Sequence, residues 1–176
     1  QDLDKTYGKV VRVALDGSVP SDNPFTGQED AIDTIWSYGH RNVQGAAIRP
    51  ATGALWTIEH GPAGGDELNK IDPGANYGWP VISYGVNYNG SDVSGGISKQ
   101  DGMEQPRYYW DPVIGGLVSQ GIVRVQLDGE TVTGEERILN GLGRVRDIAV
   151  GPDGALFVVL DRTDAPLLRI TPSGNS

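Results

Sequence analysis

AAIRPATGALWTIE (residues 46–59) and IAVGPDGALFVVLD (residues 148–161) are two versions of one phrase: an apolar run, a Pro/Gly turn and a second apolar run. Each run has the length and the β-branched and aromatic bias of a strand, and two strands joined by so short a Pro/Gly connection make a hairpin. A second phrase also recurs. GKVVRVALDG (residues 8–17) returns as GIVRVQLDGE (residues 121–130), and PLLRITPSG (residues 166–174) is a looser copy. Here apolar residues alternate up to Asp-Gly, so these segments read as strands running into turns. Apolar residues nowhere recur at spacings of three and four over several turns, and 26 glycines and 11 prolines suit many turns better than long helices.

Repeated hairpins imply a repeat architecture. The expected fold class is therefore all-β, with a β-propeller as the leading architecture and a β-sandwich as the alternative on pattern alone. Propeller blades of four strands take roughly 40 to 45 residues, so 176 residues supply about four blades' worth. The G-A-L hairpins read as the first two strands of a blade, and V-R-V-x-L-D-G as a strand of a blade's outer half.

A formal net charge of -9 excludes a nucleic-acid footprint, because nothing here neutralises a run of phosphates. Cysteine is absent, which removes disulfides, thiolate metal sites and a cysteine nucleophile. No apolar run approaches the roughly 20 residues of a membrane-spanning helix. With only two histidines, His40 and His60, and no serine in a nucleophile-elbow context, a hydrolase triad is hard to build.

Residues 36–112 carry more Gly, Pro, Asn, Tyr and Trp than simple strands need, the signature of loops that hold a site on a rigid sheet. Arg41 and Asn42 stand at the entry to an inner strand, where a guanidinium either grips a carboxylate ligand or bridges to a neighbouring blade. Arg144 and Arg146, two apart on a strand, are expected on one face, and two like charges there call for a bound polyanion or for acidic neighbours from another blade. In HGPAGGDELN, the carbonyls of Gly61 and Pro62 with Asp66 and Glu67 offer hard oxygen donors suited to calcium, or else cap turns on a solvated surface. Trp79, Tyr84, Tyr88, Tyr108, Tyr109 and Trp110 either stack on a sugar or ring system or pack between blades.

The stretch GHRNVQGAAIRPATGALWTIEHGPAGGDELNKIDPGANYGWPVISYGVNYNG, together with GLGRVRDIAVGPDGALFVVLD and VRVALDGSVPSDNPF, resembles the soluble PQQ-dependent aldose sugar dehydrogenases of the glucose/sorbosone dehydrogenase family. The resemblance implies a six-bladed β-propeller, of which residues 1–176 form a single domain lacking the N-terminal blades. It implies oxidation of the anomeric carbon of an aldose to a lactone, with PQQ and Ca2+ as cofactors and a separate electron acceptor as partner. Arg41, Asn42, His60, Arg144 and Arg146 are then cofactor contacts, and Asp66 lies by the sugar pocket. The carbonyls of Gly61 and Pro62 hold the catalytic calcium, while Glu67 and the carbonyl of Tyr77 hold a second calcium. The family's base histidine falls before Gln1, so no catalytic residue is expected in this chain. Relatives carry extra residues where Ile114 meets Gly115, which predicts missing chain at that join, and Ser119 stands near a position where some relatives have a cofactor-contacting lysine. The family also implies a periplasmic or secreted location. A noncatalytic sugar- or protein-binding propeller and a calcium-dependent, lactonase-like hydrolase are the alternatives, and the arginines argue against the latter.

Overall fold

In a computed structural model, which describes residues 1–110 and 121–172, every regular element is a strand. The expectations at Ile114, Gly115 and Ser119 lie outside the described residues. The chain divides into two compact units, Gln1–Gly116 and Leu117–Ser176.

In the first unit, β1 (Lys9–Val11) pairs antiparallel with β2 (Ile35–Tyr38). The strand read from residues 8–17 is thus shorter than its alternation suggests. Val13 and Leu15 lie beyond the β1 ladder and are exposed, so their apolar side chains have no buried face to occupy. The turn at Asp-Gly is present, with Gly17 N–H donating to the carbonyl of Ala14 at 2.9 Å.

The centre of this unit is one four-stranded meander: β3 (Val43–Ile48), β4 (Leu55–Glu59), β5 (Asp66–Ile71) and β6 (Tyr108–Trp110), each antiparallel to the next in chain order. That is the pattern of a propeller blade. Between β5 and β6 the chain makes a long excursion that folds back, through a bridge from Asn76 to Tyr38 and another from Val86 to Ala63. Ile35, Ile71, Ile82 and Val93 form the buried apolar part, each worth about 1.5 to 3 kcal/mol when taken out of water. Asn23, Ser37, His40, Thr57, Glu59 and Asn69 are buried too, an unusual polar load for strands.

In the second unit, β7 (Ile122–Asp128) and β8 (Thr131–Ile138) form a hairpin turned by Gly129, and β9 (Val145–Val150), β10 (Leu156–Leu160) and β11 (Leu167–Ile170) form a three-stranded sheet in the order β11-β10-β9. Its core is apolar: Ile122, Val158 and Leu160, packed by Ile138, Leu142, Val145, Leu168 and Ile170.

The two G-A-L hairpins agree down to an irregularity. In the first, Val43 faces Glu59 and Gly45 faces Ile58, which leaves Gln44 as the extra residue of a bulge. In the second, Val145 faces Leu160 and Asp147 faces Val159, which leaves Arg146 as the extra residue. A bulge bends its strand and re-aims a side chain. Simple alternation therefore does not govern Arg144 and Arg146: Arg144 precedes β9, and Arg146 sits in the bulge.

Candidate functional site

Three strands and one turn build the site in the first unit. The carboxylate of Glu59, at the end of β4, is its hub. His40 Nδ1 lies 3.1 Å from Glu59 Oε1, Asn69 Nδ2 donates to the same oxygen at 2.8 Å, and the Arg41 amide donates to Oε2 at 2.9 Å. Burial opposes charge on Glu59, but the His40 contact and these donors together hold its carboxyl below the ordinary range. His40 in turn meets Ser37 Oγ through Nε2 at 2.8 Å and stacks on Tyr77 with ring centroids 4.6 Å apart.

Ser37, His40 and Glu59 therefore have the hydrogen-bond order of a hydrolytic triad. They do not have its access: Ser37 is 0% and His40 3% exposed. A nucleophile must reach its substrate, so this relay fixes structure and does not cleave bonds.

Glu67 stands directly opposite Glu59 on the β4–β5 ladder. Its carboxyl is pushed up to about 7, first by burial and then by the charges of Glu59 and Asp66, while the amide of Asn69, 3.1 Å away, works in the other direction. Asn69 Oδ1 is itself buried with no protein partner. Buried acceptors thus outnumber donors here, the imbalance a hard divalent cation relieves. Among the described residues no group of three or more His, Cys, Asp or Glu side chains is arranged as a metal cage. Glu67 and Tyr77 line the same cleft.

Arg41 projects into a cleft lined also by Gly39, His60, Gly61, Pro62, Glu67 and Trp79. Its guanidinium sits 5.3 Å from the centre of the Trp79 ring, donates to the His60 carbonyl at 2.9 Å and reaches the Tyr88 hydroxyl at 3.3 Å. The turn after β4 is packed backbone against backbone. A Cβ on Gly61 would lie 2.0 Å from the Gly64 carbonyl oxygen, and one on Gly65, at φ +68°, would lie 2.3 Å from the Gly85 nitrogen. Only glycine fits either position. Asp66 closes the turn, taking the Gly61 N–H on Oδ1 at 3.0 Å and meeting His60 Nδ1 with Oδ2 at 2.9 Å. The cleft is therefore a tight main-chain cradle with the Arg41 cation over the Trp79 indole on one side.

The structure thus brings together Arg41, His60, Gly61, Pro62, Glu67 and Tyr77 around one cleft. Asn42 is not among the residues lining it and is exposed, with Oδ1 accepting from Gln44 Nε2 at 2.7 Å. Arg144 and Arg146 belong to the other unit, where Arg144 Nε pairs with Asp161 Oδ2 at 2.9 Å and Arg146 is exposed. For Arg144 the acidic neighbour comes from its own hairpin. Several of the aromatics occupy one another: Tyr84 stacks on Tyr109 at 3.9 Å and Tyr108 meets Trp110 edge-on at 5.1 Å.

Sequence reasoning missed Ser37, Glu59 and Asn69. Part of the signal was there, since Thr57 and Glu59 interrupt the otherwise apolar β4 at alternate positions, whereas β5 reads DELNKI and its many polar residues single out none.

The model of the glucose/sorbosone dehydrogenase family matches residues 1–115 and 113–169. The aldose sugar dehydrogenase of Escherichia coli is 40% identical across 98% of this chain, which corresponds to 53% of that protein, so the chain spans about half the length of that relative. The crystal structure of a soluble aldose sugar dehydrogenase from Escherichia coli in its apo-form superposes with a TM-score of 0.92 at 39% identity, covering 98% of this chain and 57% of that one. The PQQ-bound form of an aldose sugar dehydrogenase from Streptomyces coelicolor superposes at 0.74 with 29% identity, covering 96% and 53%. The expected fold class holds: the chain is all-β and carries part of a six-bladed β-propeller, and the β-sandwich alternative falls away. Family model and relatives agree, and the chain belongs to the glucose/sorbosone dehydrogenase family.

Proposed function

We propose that this chain carries much of the cofactor site of a PQQ-dependent, calcium-requiring aldose sugar dehydrogenase. The reaction removes a hydride from the anomeric carbon and a proton from its hydroxyl, leaving a lactone, and the two electrons pass on to a separate acceptor. The observation that carries the reading is the cleft itself: Arg41 held over Trp79 beside the Gly61–Pro62 turn, next to a buried carboxylate in need of a counter-charge. The relative from Streptomyces coelicolor, solved with PQQ, supports the choice of cofactor.

Each residue then has a task. Arg41, with Asn42 and His60, is assigned to the carboxylates of a tricarboxylic quinone in the first unit, and Arg144 and Arg146 are the cofactor contacts assigned to the second. The Arg144–Asp161 pair is no obstacle, because an exposed ion pair is worth only about 0 to 1 kcal/mol and yields to a better anion. The carbonyls of Gly61 and Pro62 would hold the catalytic calcium, and Glu67 with the Tyr77 carbonyl would hold the second. The bound pair supplies two-electron acceptance at a quinone carbonyl polarised by calcium. Asp66 lies toward the sugar side. The proton acceptor is not His40, whose two ring nitrogens are already engaged in the interior.

Residues 1–176 are read as one propeller domain shortened near residues 114–115 relative to its relatives, and the two separate stretches of the family match, meeting at 113–115, support this. Family membership supports a periplasmic or secreted location, and among the described residues no helix is long and apolar enough to cross a membrane. The test is reconstitution of the full-length protein with PQQ and calcium, followed by reduction of an artificial dye with several aldoses. Turnover that needs both cofactors is expected; no turnover with any aldose contradicts the reading.

A further inference from the structure

His60 is held rather than free. Asp66 Oδ2 lies 2.9 Å from its Nδ1, and a carboxylate only accepts hydrogen bonds, so the proton sits on Nδ1. The other carboxylate oxygen takes the Gly61 N–H at 3.0 Å, and Arg41 donates to the His60 carbonyl at 2.9 Å, so ring and main chain are fixed from three sides. Among the described residues nothing hydrogen-bonds Nε2, and His60 lines the cleft. We propose that Asp66 is a positioning residue that locks His60 in the Nδ1–H tautomer and so presents Nε2 to the cleft as a hydrogen-bond acceptor. The inference rests on the reading of this cleft as a ligand site and deepens it: the ligand group seated against His60 must bring an N–H or O–H. Such a carboxylate–imidazole arrangement sets which ring nitrogen faces a ligand, and at metal-bound histidines losing the orienting partner typically costs about 10- to 100-fold in affinity or activity.

Asp66→Asn tests this because it inverts the logic. The Gly61 amide still needs an acceptor, so the oxygen of the new carboxamide stays there and its NH2 group faces His60 Nδ1. The ring must then carry its proton on Nε2, turning an acceptor into a donor. The readout is the 15N spectrum of the imidazoles in the full-length, ligand-free protein, at a pH where they are neutral; His60→Gln identifies the His60 signals. Wild type should show a protonated Nδ1 and a bare Nε2, and Asp66→Asn the reverse. A wild-type ring protonated on Nε2 overturns the proposal whether or not any variant folds. In titrations with PQQ, Asp66→Asn should bind about 10- to 100-fold more weakly than wild type; equal affinity overturns the positioning role. Failure of wild type to bind PQQ would count against the proposed cofactor instead, leaving the tautomer measurement to decide the role of Asp66.

Discussion

The two G-A-L hairpins share their ladder register and their bulge, yet they do opposite things with their buried face. In the first, β4 turns Thr57 and Glu59 inward, opposite Asn69 and Glu67 of β5. In the second, β10 turns Val158 and Leu160 inward, toward Leu168 and Ile170 of β11. One backbone template thus supports a polar hub in one blade and an ordinary apolar core in the other. A site built this way has a stability cost: the cleft-side carboxylates deprive the first unit of burial energy that the second unit keeps.

Substitutions that exchange the two inner faces should break this contrast. The largest effect is expected for Glu59→Leu, which copies Leu160 into the first hairpin. It leaves His40, Asn69 and the Arg41 amide facing a group that cannot accept, at a cost of about 3 to 5 kcal/mol in urea unfolding at neutral pH. Because the Glu59 carboxyl is held below its ordinary range, its contribution is present at neutral pH and disappears as pH falls through the folded-state value. The cost of Glu59→Gln should accordingly shrink in acid; a cost independent of pH would mean that Glu59 acts only by filling space.

Glu67 has the opposite sign. With its folded carboxyl pushed up to about 7, the native state keeps a proton that the unfolded chain has already released above the ordinary value of 4.5. Metal-free stability therefore declines as pH rises through that window, and the full penalty applies above about 7. Glu67→Gln should remove this slope and raise stability at pH 8 in a chelator by up to about 3 kcal/mol. It should also abolish any rise in Tm on adding calcium; a calcium response kept in full would remove Glu67 from the cation site.

How much of this was legible in the sequence follows from the same strands. The repeated phrases revealed the hairpins because alternation and turn chemistry are local. The loops of residues 36–112 revealed the region of the site because glycine at Gly61 and Gly65 marks places where main chain touches main chain. The relay through Ser37, His40, Glu59 and Asn69 was hidden, since its partners come from three strands whose pairing the sequence does not state. The bulge was hidden for a related reason: Gln44 and Arg146 look like regular strand residues until the facing strand counts one fewer.

Smaller effects sharpen the comparison. Val158→Ala, in the apolar counterpart, should cost about 2 kcal/mol, as removal of methyls from a fully buried site does, and should leave the first unit's cleft intact. Thr57→Val copies Val158 into the first hairpin. Its hydroxyl is buried without a partner, so the substitution should stabilise by about 1 kcal/mol; a loss of that size would show that the hydroxyl is satisfied after all.

The central proposal is that the Arg41 cleft of the first unit seats an anionic cofactor, and the affinity of the full-length protein for PQQ in the presence of calcium tests it most directly. Replacing Arg41 by Ala should weaken binding by about 10- to 100-fold, at about 1.5 to 3 kcal/mol for a charged hydrogen bond. Arg124→Ala, which removes an exposed pair with Glu136, should leave affinity as it is. Wild-type affinity in Arg41→Ala would contradict the account.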